Sequence, residues 1–162
     1  MDGGFVALAV FAGLNFMAAL SGALFRPGEW YFALAKPAWR PPDWLFGPAW
    51  SVLYTMNAVA GWLAWSAGGW GVAMAIYLAS LLFNAGWSAI FFGMRRMDLA
   101  FVWLIGLWLS VAAQIAAFAP LSPTAAALLY PYLAWVTFAG ALNWTIWRMN
   151  RAPAGPSGDL GG

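Results

Sequence analysis

The chain has 162 residues, 64% of them hydrophobic and only 7% charged, where a soluble domain carries roughly a quarter charged residues, so a soluble globular protein is excluded. Seven Lys or Arg against five Asp or Glu leave a net charge of +2, which reflects scarcity of acids rather than a basic patch and gives nucleic-acid binding no support. With no Cys and no His, disulfides, thiolate nucleophiles, structural zinc, His-ligated haem and His acid-base catalysis drop out together.

A helical crossing of the hydrocarbon core needs on the order of 20 apolar residues. Five such runs follow one another: Phe5 to Phe25, Trp44 to Trp65, Trp70 to Phe92, Leu99 to Phe118 and Thr124 to Trp147, none holding an Asp, Glu, Lys or Arg. They are apolar on both parities and rich in Gly and Ala, so helices are expected rather than barrel strands. The fold class is therefore an all-α integral membrane protein, a bundle of five transmembrane helices with a Pro/Trp-rich loop between helices 1 and 2. Residues 1–151 form one domain and the Gly, Pro and Ala tail 152–162 is expected to be disordered. No basic residue precedes Arg26, so the first run is read as a retained helix rather than a signal peptide.

The connections carry the charge. Arg26, Lys36 and Arg40 precede the second run, Arg95 and Arg96 lie between the third and fourth, and Arg148 and Arg151 follow the fifth, so all seven basic residues fall at one end of the bundle. The positive-inside rule then places the N-terminus outside and the C-terminus in the cytoplasm, if the membrane is a bacterial inner one. The later connections are short, which predicts antiparallel neighbours for consecutive helices. The first connection, with Pro27, Pro37, Pro41 and Pro42 among Trp30, Tyr31, Trp39 and Trp44, is expected to fold over the cytoplasmic mouth.

Thirteen Trp exceed what interfacial belts require. Trp62, Trp65, Trp70, Trp103, Trp108 and Trp147 are assigned to belts or lipid-facing packing. Trp50, Tyr54 and Asn57 share one helix face, as do Asn84, Trp87, Ser88 and Phe91, while Trp135, Ala139 and Leu142 form a stripe beside Asn143. Spacing alone leaves two readings of these stripes: interhelical hydrogen-bonded glue, or the walls of a pocket for a large, flat, mostly apolar molecule. Arg26, Lys36 and Arg40 are possible carboxylate contacts at its mouth, or simple topology signals. Gly71, Ala75 and Ala79, small residues every four positions, are a candidate dimer interface. No residue set suggests a catalytic dyad or a metal site, and no cofactor is required.

The pattern Trp30, Tyr31, Lys36, Pro37, Trp39, Pro41, Pro42, Trp44, Trp50, Leu53, Tyr54 closely resembles the translocator protein family, also called tryptophan-rich sensory proteins or peripheral-type benzodiazepine receptors. Asn84, Trp87, the FFG of Phe91 to Gly93, the PYLAW of Pro131 to Trp135, and Thr137, Phe138, Ala139, Leu142 and Asn143 extend the likeness over about residues 14–150. The resemblance implies five transmembrane helices, a homodimer, and a cavity closed by the first loop. It also implies binding of protoporphyrin-type tetrapyrroles and of isoquinoline and benzodiazepine-like drugs, with cholesterol in animal members. Carried over by motif, the ligand positions are Ala23, Phe46, Trp50, Asn84, Trp87, Trp135, Ala139 and Leu142. The sterol motif of the last helix is not intact, since Trp144 precedes Arg148 where that motif has a Tyr; this argues against cholesterol. Leu99 stands where animal members have a drug-contacting Trp. The function implied is a porphyrin-binding membrane receptor acting in tetrapyrrole sensing, sequestration or transport. The alternative is light- and oxygen-dependent porphyrin degradation, with Trp50 and Trp135 as redox-active residues.

Overall fold

The computed structural model describes residues 2–151; the tail expected to be disordered lies outside them. Long helices form wherever Ala, Leu and Gly dominate, and they stop at Pro or Gly. α1 is Asp2–Leu24, ending three residues before Pro27. A one-turn helix, α2, Glu29–Ala33, interrupts the loop that follows, and a 3-10 turn at Asp43–Leu45 leads into α3, Phe46–Gly68. α4, Val72–Ser88, continues as a π-helical turn at Ala89–Gly93; α5 is Met97–Phe118. The fifth run is not one helix. It divides into α6, Pro123–Ala127, and α7, Tyr130–Asn150, because Pro131 in the first turn of α7 has no N–H to continue the preceding helix.

Among the described residues, four helical stretches are long and apolar enough to cross a membrane: Gly3–Leu24, Val72–Gly93, Met97–Phe118 and Pro123–Asn150. α3 matches them in length, at 23 residues, but carries Trp50, Ser51, Tyr54, Thr55 and Asn57, which lower its average hydropathy.

Around the bundle the order is α3, α1, α4, α5, α7. Antiparallel neighbours are found as expected for α4 with α5 and α5 with α7, but α3 and α4 barely touch despite the tight turn between them. α1 stands between them. At Gly61 of α3 a Cβ would lie 2.9 Å from the Phe11 ring of α1 and 2.7 Å from the Tyr77 ring of α4, so two aromatic side chains fill the gap that a direct helix contact would close. Gly69, at φ +65°, supplies the left-handed turn that lets the chain swing across α1.

α4 and α5 interlock reciprocally. A Cβ on Gly86 would meet the Trp103 ring at 2.8 Å, and one on Gly106 would meet the Phe83 ring at 2.6 Å. Phe83 and Trp103 lie 5.0 Å apart, and the Trp103 indole donates to the Phe83 carbonyl at 2.7 Å. Trp103 is thus a helix-packing wedge and not a belt residue. Trp62 and Trp65 likewise turn inward, with indole nitrogens that are buried. Trp70 and Trp108 keep the outward placement, and Trp108 donates to the Thr137 hydroxyl at 2.9 Å.

Candidate functional site

A cavity of about 430 Å³ occupies the half of the bundle nearest the first loop, within the size range of small-molecule sites. Its walls come from five helices: Ala19 and Gly22 of α1, Phe46, Trp50 and Tyr54 of α3, Asn84 and Trp87 of α4, Leu104 and Leu107 of α5, and Trp135, Ala139 and Leu142 of α7. Trp50 sits at the corner of the aromatic wall, 5.5 Å from Tyr54, 6.2 Å from Tyr132 and 6.4 Å from Trp135 by ring centroids.

The first loop covers this cavity, with Pro27, Tyr31, Phe32 and Asp43 in its lining. Two attachments hold the loop down. Asn150, at the end of α7, treats Ala35 as a strand would: its side-chain amide donates to the Ala35 carbonyl and its oxygen accepts from the Ala35 N–H, both at 2.9 Å. At the other side Tyr31 is buried against Phe91 and Phe92, 6.2 and 5.3 Å away. The π-helical turn makes that docking surface, since its wider winding brings Phe91 and Phe92 to the same cavity wall. Burial pushes the Tyr31 phenol above its usual range, against the opposing effect of the Arg40 guanidinium that donates to it at 3.4 Å. Burial also holds the Lys36 ammonium below its usual range, with Arg40 adding to the effect.

Beneath the cavity the polar side chains are satisfied by one another. Tyr54 donates to the Asn84 oxygen, and the Asn84 amide donates to the Tyr132 hydroxyl at 2.7 Å. Deeper still, Asn57 donates to the Asn15 oxygen at 2.9 Å, Gln114 donates to the Asn57 oxygen at 3.0 Å, and Ser80 donates to the Gln114 oxygen at 2.8 Å. Asn15, Asn57, Ser80 and Gln114 are each at most 2% exposed. This chain of amides ties α1, α3, α4 and α5 together where hydrocarbon offers no alternative partner. The cavity lining does not extend beyond Tyr54, Asn84, Leu107 and Trp135 toward the far end. The cavity is therefore blind.

Of the eight ligand positions carried over from the resemblance, Phe46, Trp50, Asn84, Trp87, Trp135, Ala139 and Leu142 meet in this one cavity. Ala23 does not. It is exposed, its carbonyl accepts from Arg26 at 2.9 Å, and α1 presents Ala19 and Gly22 instead, because a helix turns Ala23 about 100° away from Gly22. The three basic loop residues are engaged within the loop and its entry: Arg26 with Ala23, Lys36 with the Phe32 and Leu34 carbonyls at 3.2 and 3.0 Å, and Arg40 with Asp43. None lines the cavity. The polar stripes do two things at once, since Asn84 and Asn143 line the cavity and also bond helix to helix; Asn143 accepts from the Trp87 indole at 3.1 Å. Gly71 and Ala75 are exposed and Ala79 half-exposed, on the side of α4 away from the core. Spacing along the sequence points to Asn57 among the deep amides but not to Asn15 or Gln114, whose signal is that of lone amides in apolar runs, and not to Tyr31 and Phe92 in the cavity lining. Among the described residues no group of acids forms a metal cluster.

The sequence profile of the TspO/MBR family matches residues 5–148. The chain is 44% identical over 132 residues to a tryptophan-rich sensory protein of Cereibacter sphaeroides, covering 82% of this chain and 84% of that one. It is 41% identical over 152 residues to the tryptophan-rich protein TspO of Chlorobaculum tepidum, covering 88% and 95%. To the human translocator protein it is 42% identical over 137 residues, covering 80% and 81%.

Proposed function

The chain belongs to the TspO/MBR family, and on that premise we propose that it is a membrane receptor for porphyrin-type tetrapyrroles, with isoquinoline and benzodiazepine-like molecules as competing ligands. The observation that carries this reading is the lidded, aromatic-walled cavity in which seven positions carried over from the family's pattern converge. Indole and phenol faces offer broad stacking area to a flat ring system. No cofactor is called for, because a free-base porphyrin needs no axial ligand. Five crossings fit the same picture: the polar residues that lower the hydropathy of α3 include Asn57 and Tyr54, both bonded inward, while Val52 faces outward. Domain 1–151, N-terminus outside, and a homodimer through the Gly71, Ala75 and Ala79 face of α4 complete the proposal.

The blind cavity favours sensing or sequestration over passage, because a transporter must open to both sides. Light-driven degradation is the second reading, favoured by the closeness of Trp50 and Trp135 in the wall. Titration of protoporphyrin absorbance in the dark tests the receptor: saturable binding is expected in the unaltered protein and selectively weakened binding in Trp50→Ala. A new product absorbance under illumination and oxygen, abolished by Trp50→Phe with Trp135→Phe, would replace the receptor reading with the enzymatic one.

A further inference from the structure

A second concavity of about 430 Å³ lies on the outside of the bundle, between α5 and α7. Thr137, Ala141 and Trp144 form its α7 side, and Phe101, Ile105 and Trp108 its α5 side. The α7 residues follow the spacing i, i+4, i+7, and the next residue of that stripe, at i+11, is Arg148. Its guanidinium stacks over the Trp144 ring at 5.6 Å, and Arg151 stacks over Trp147 at 5.8 Å. Both arginines are exposed, and neither takes part in the ion pairs found among the described residues, Arg40 with Asp43 and Arg96 with Asp98. Stacking fixes the plane of a guanidinium and leaves its N–H edge available for a phosphate.

From Arg148 to Thr137 is eleven residues, or about 16 Å of helix, which is half the thickness of the hydrocarbon core. The groove is therefore one leaflet deep, with cationic groups at the headgroup level and apolar walls below. We propose that it binds an anionic phospholipid, one acyl chain lying along Ala141 between Trp108 and Trp144 and the phosphate meeting Arg148 and Arg151. A sterol would offer these two guanidiniums a single neutral hydroxyl. A second copy on a two-fold axis would bring four arginines together. Leu104 and Val136 line this groove and the central cavity alike, so the lipid packs against the outer side of a wall whose inner side faces the cavity.

The test is native mass spectrometry of the detergent-purified chain with phosphatidylglycerol or phosphatidylcholine of identical acyl chains. About fivefold preference per arginine is expected, hence about 25-fold for phosphatidylglycerol in the unaltered protein. Arg148→Gln with Arg151→Gln, both exposed, should bring the preference to within about twofold, and Ala141→Trp should remove retention of both lipids by filling the groove. Porphyrin absorbance titration reports separately on the central cavity and on folding. A phosphatidylglycerol preference that survives the double Gln variant overturns the proposal. So does lipid retention unchanged by Ala141→Trp in a protein that still binds porphyrin, displacement of the phospholipid by a sterol, or a dimer that dissociates in Ala141→Trp while lipid retention stays constant.

Discussion

Trp50→Ala isolates the stacking surface of the central cavity. The indole is half-buried and already shares its edges with Tyr54, Tyr132 and Trp135, so only the face toward the cavity is left for a ligand. An aromatic side chain buries about 150–250 Å² in full; taking between a quarter and a half of that as the free face gives about 40–120 Å². At about 25 cal/mol per Å² this is roughly 1–3 kcal/mol, or about a 5- to 150-fold weakening of porphyrin affinity. The control is Trp70→Ala, at the opposite end of the bundle and 66% exposed, which is expected to leave affinity unchanged. Equilibrium titration of porphyrin absorbance is the assay, because with thirteen Trp any fluorescence quenching mixes the cavity with distant rings. Equal losses in the two variants, or none in Trp50→Ala, refute the assignment of the aromatic wall as the binding surface.

Asn150→Ala removes both hydrogen bonds to Ala35 and is expected to raise the porphyrin dissociation rate about five- to tenfold, measured by stopped-flow displacement; an unchanged rate means the loop is held elsewhere. Tyr31 ties the loop to pH. Its phenol is raised by burial, so the released loop ionises first, near its ordinary value of 10.0, and docking weakens as pH climbs from there toward the raised value. Ligand release should accelerate over that window, and Tyr31→Phe should abolish the acceleration. Gly86→Ala forces the Trp103 ring aside and should lower thermal stability in detergent by about 1–3 kcal/mol; full stability would show that α4 and α5 can separate freely. Arg95 sits at φ 56° just after the π-helical turn, so Arg95→Gly should stabilise by about 1 kcal/mol, seen as a higher melting temperature.

Periodicity was enough to find the long helices and the stripes that face the cavity, because Trp50, Tyr54 and Asn57, or Trp135, Ala139 and Leu142, need only lie on one helix face to be seen together. Ala23 shows the limit. A motif fixes a position along the helix, but which of Ala19, Gly22 and Ala23 reaches the cavity depends on the rotation of α1 in the bundle. The helix order is likewise not a local property: a short turn predicts neighbours, yet Phe11 and Tyr77 keep α3 and α4 apart. The roles of the loop cations were ambiguous for a different reason. Lys36 and Arg40 find their partners in Leu34 and Asp43, a few residues away, through backbone turns that proline-rich sequence does not specify in advance.

The depth of the central cavity bears on the electrical state of the membrane. A molecule resting above Tyr54 and Asn84 stays on one side of the amide chain formed by Asn15, Asn57 and Gln114, about halfway through the bundle. A charged ligand entering and leaving by the same mouth crosses only the part of the field above that chain, so occupancy follows its concentration on the loop side, scaled by the work of bringing the charge to that depth. Energising the membrane would shift the saturation curve of a charged ligand by a fraction of the full-field work, which is about 2.3 kcal/mol per charge at 100 mV, and would leave the curve of a neutral ligand where it was.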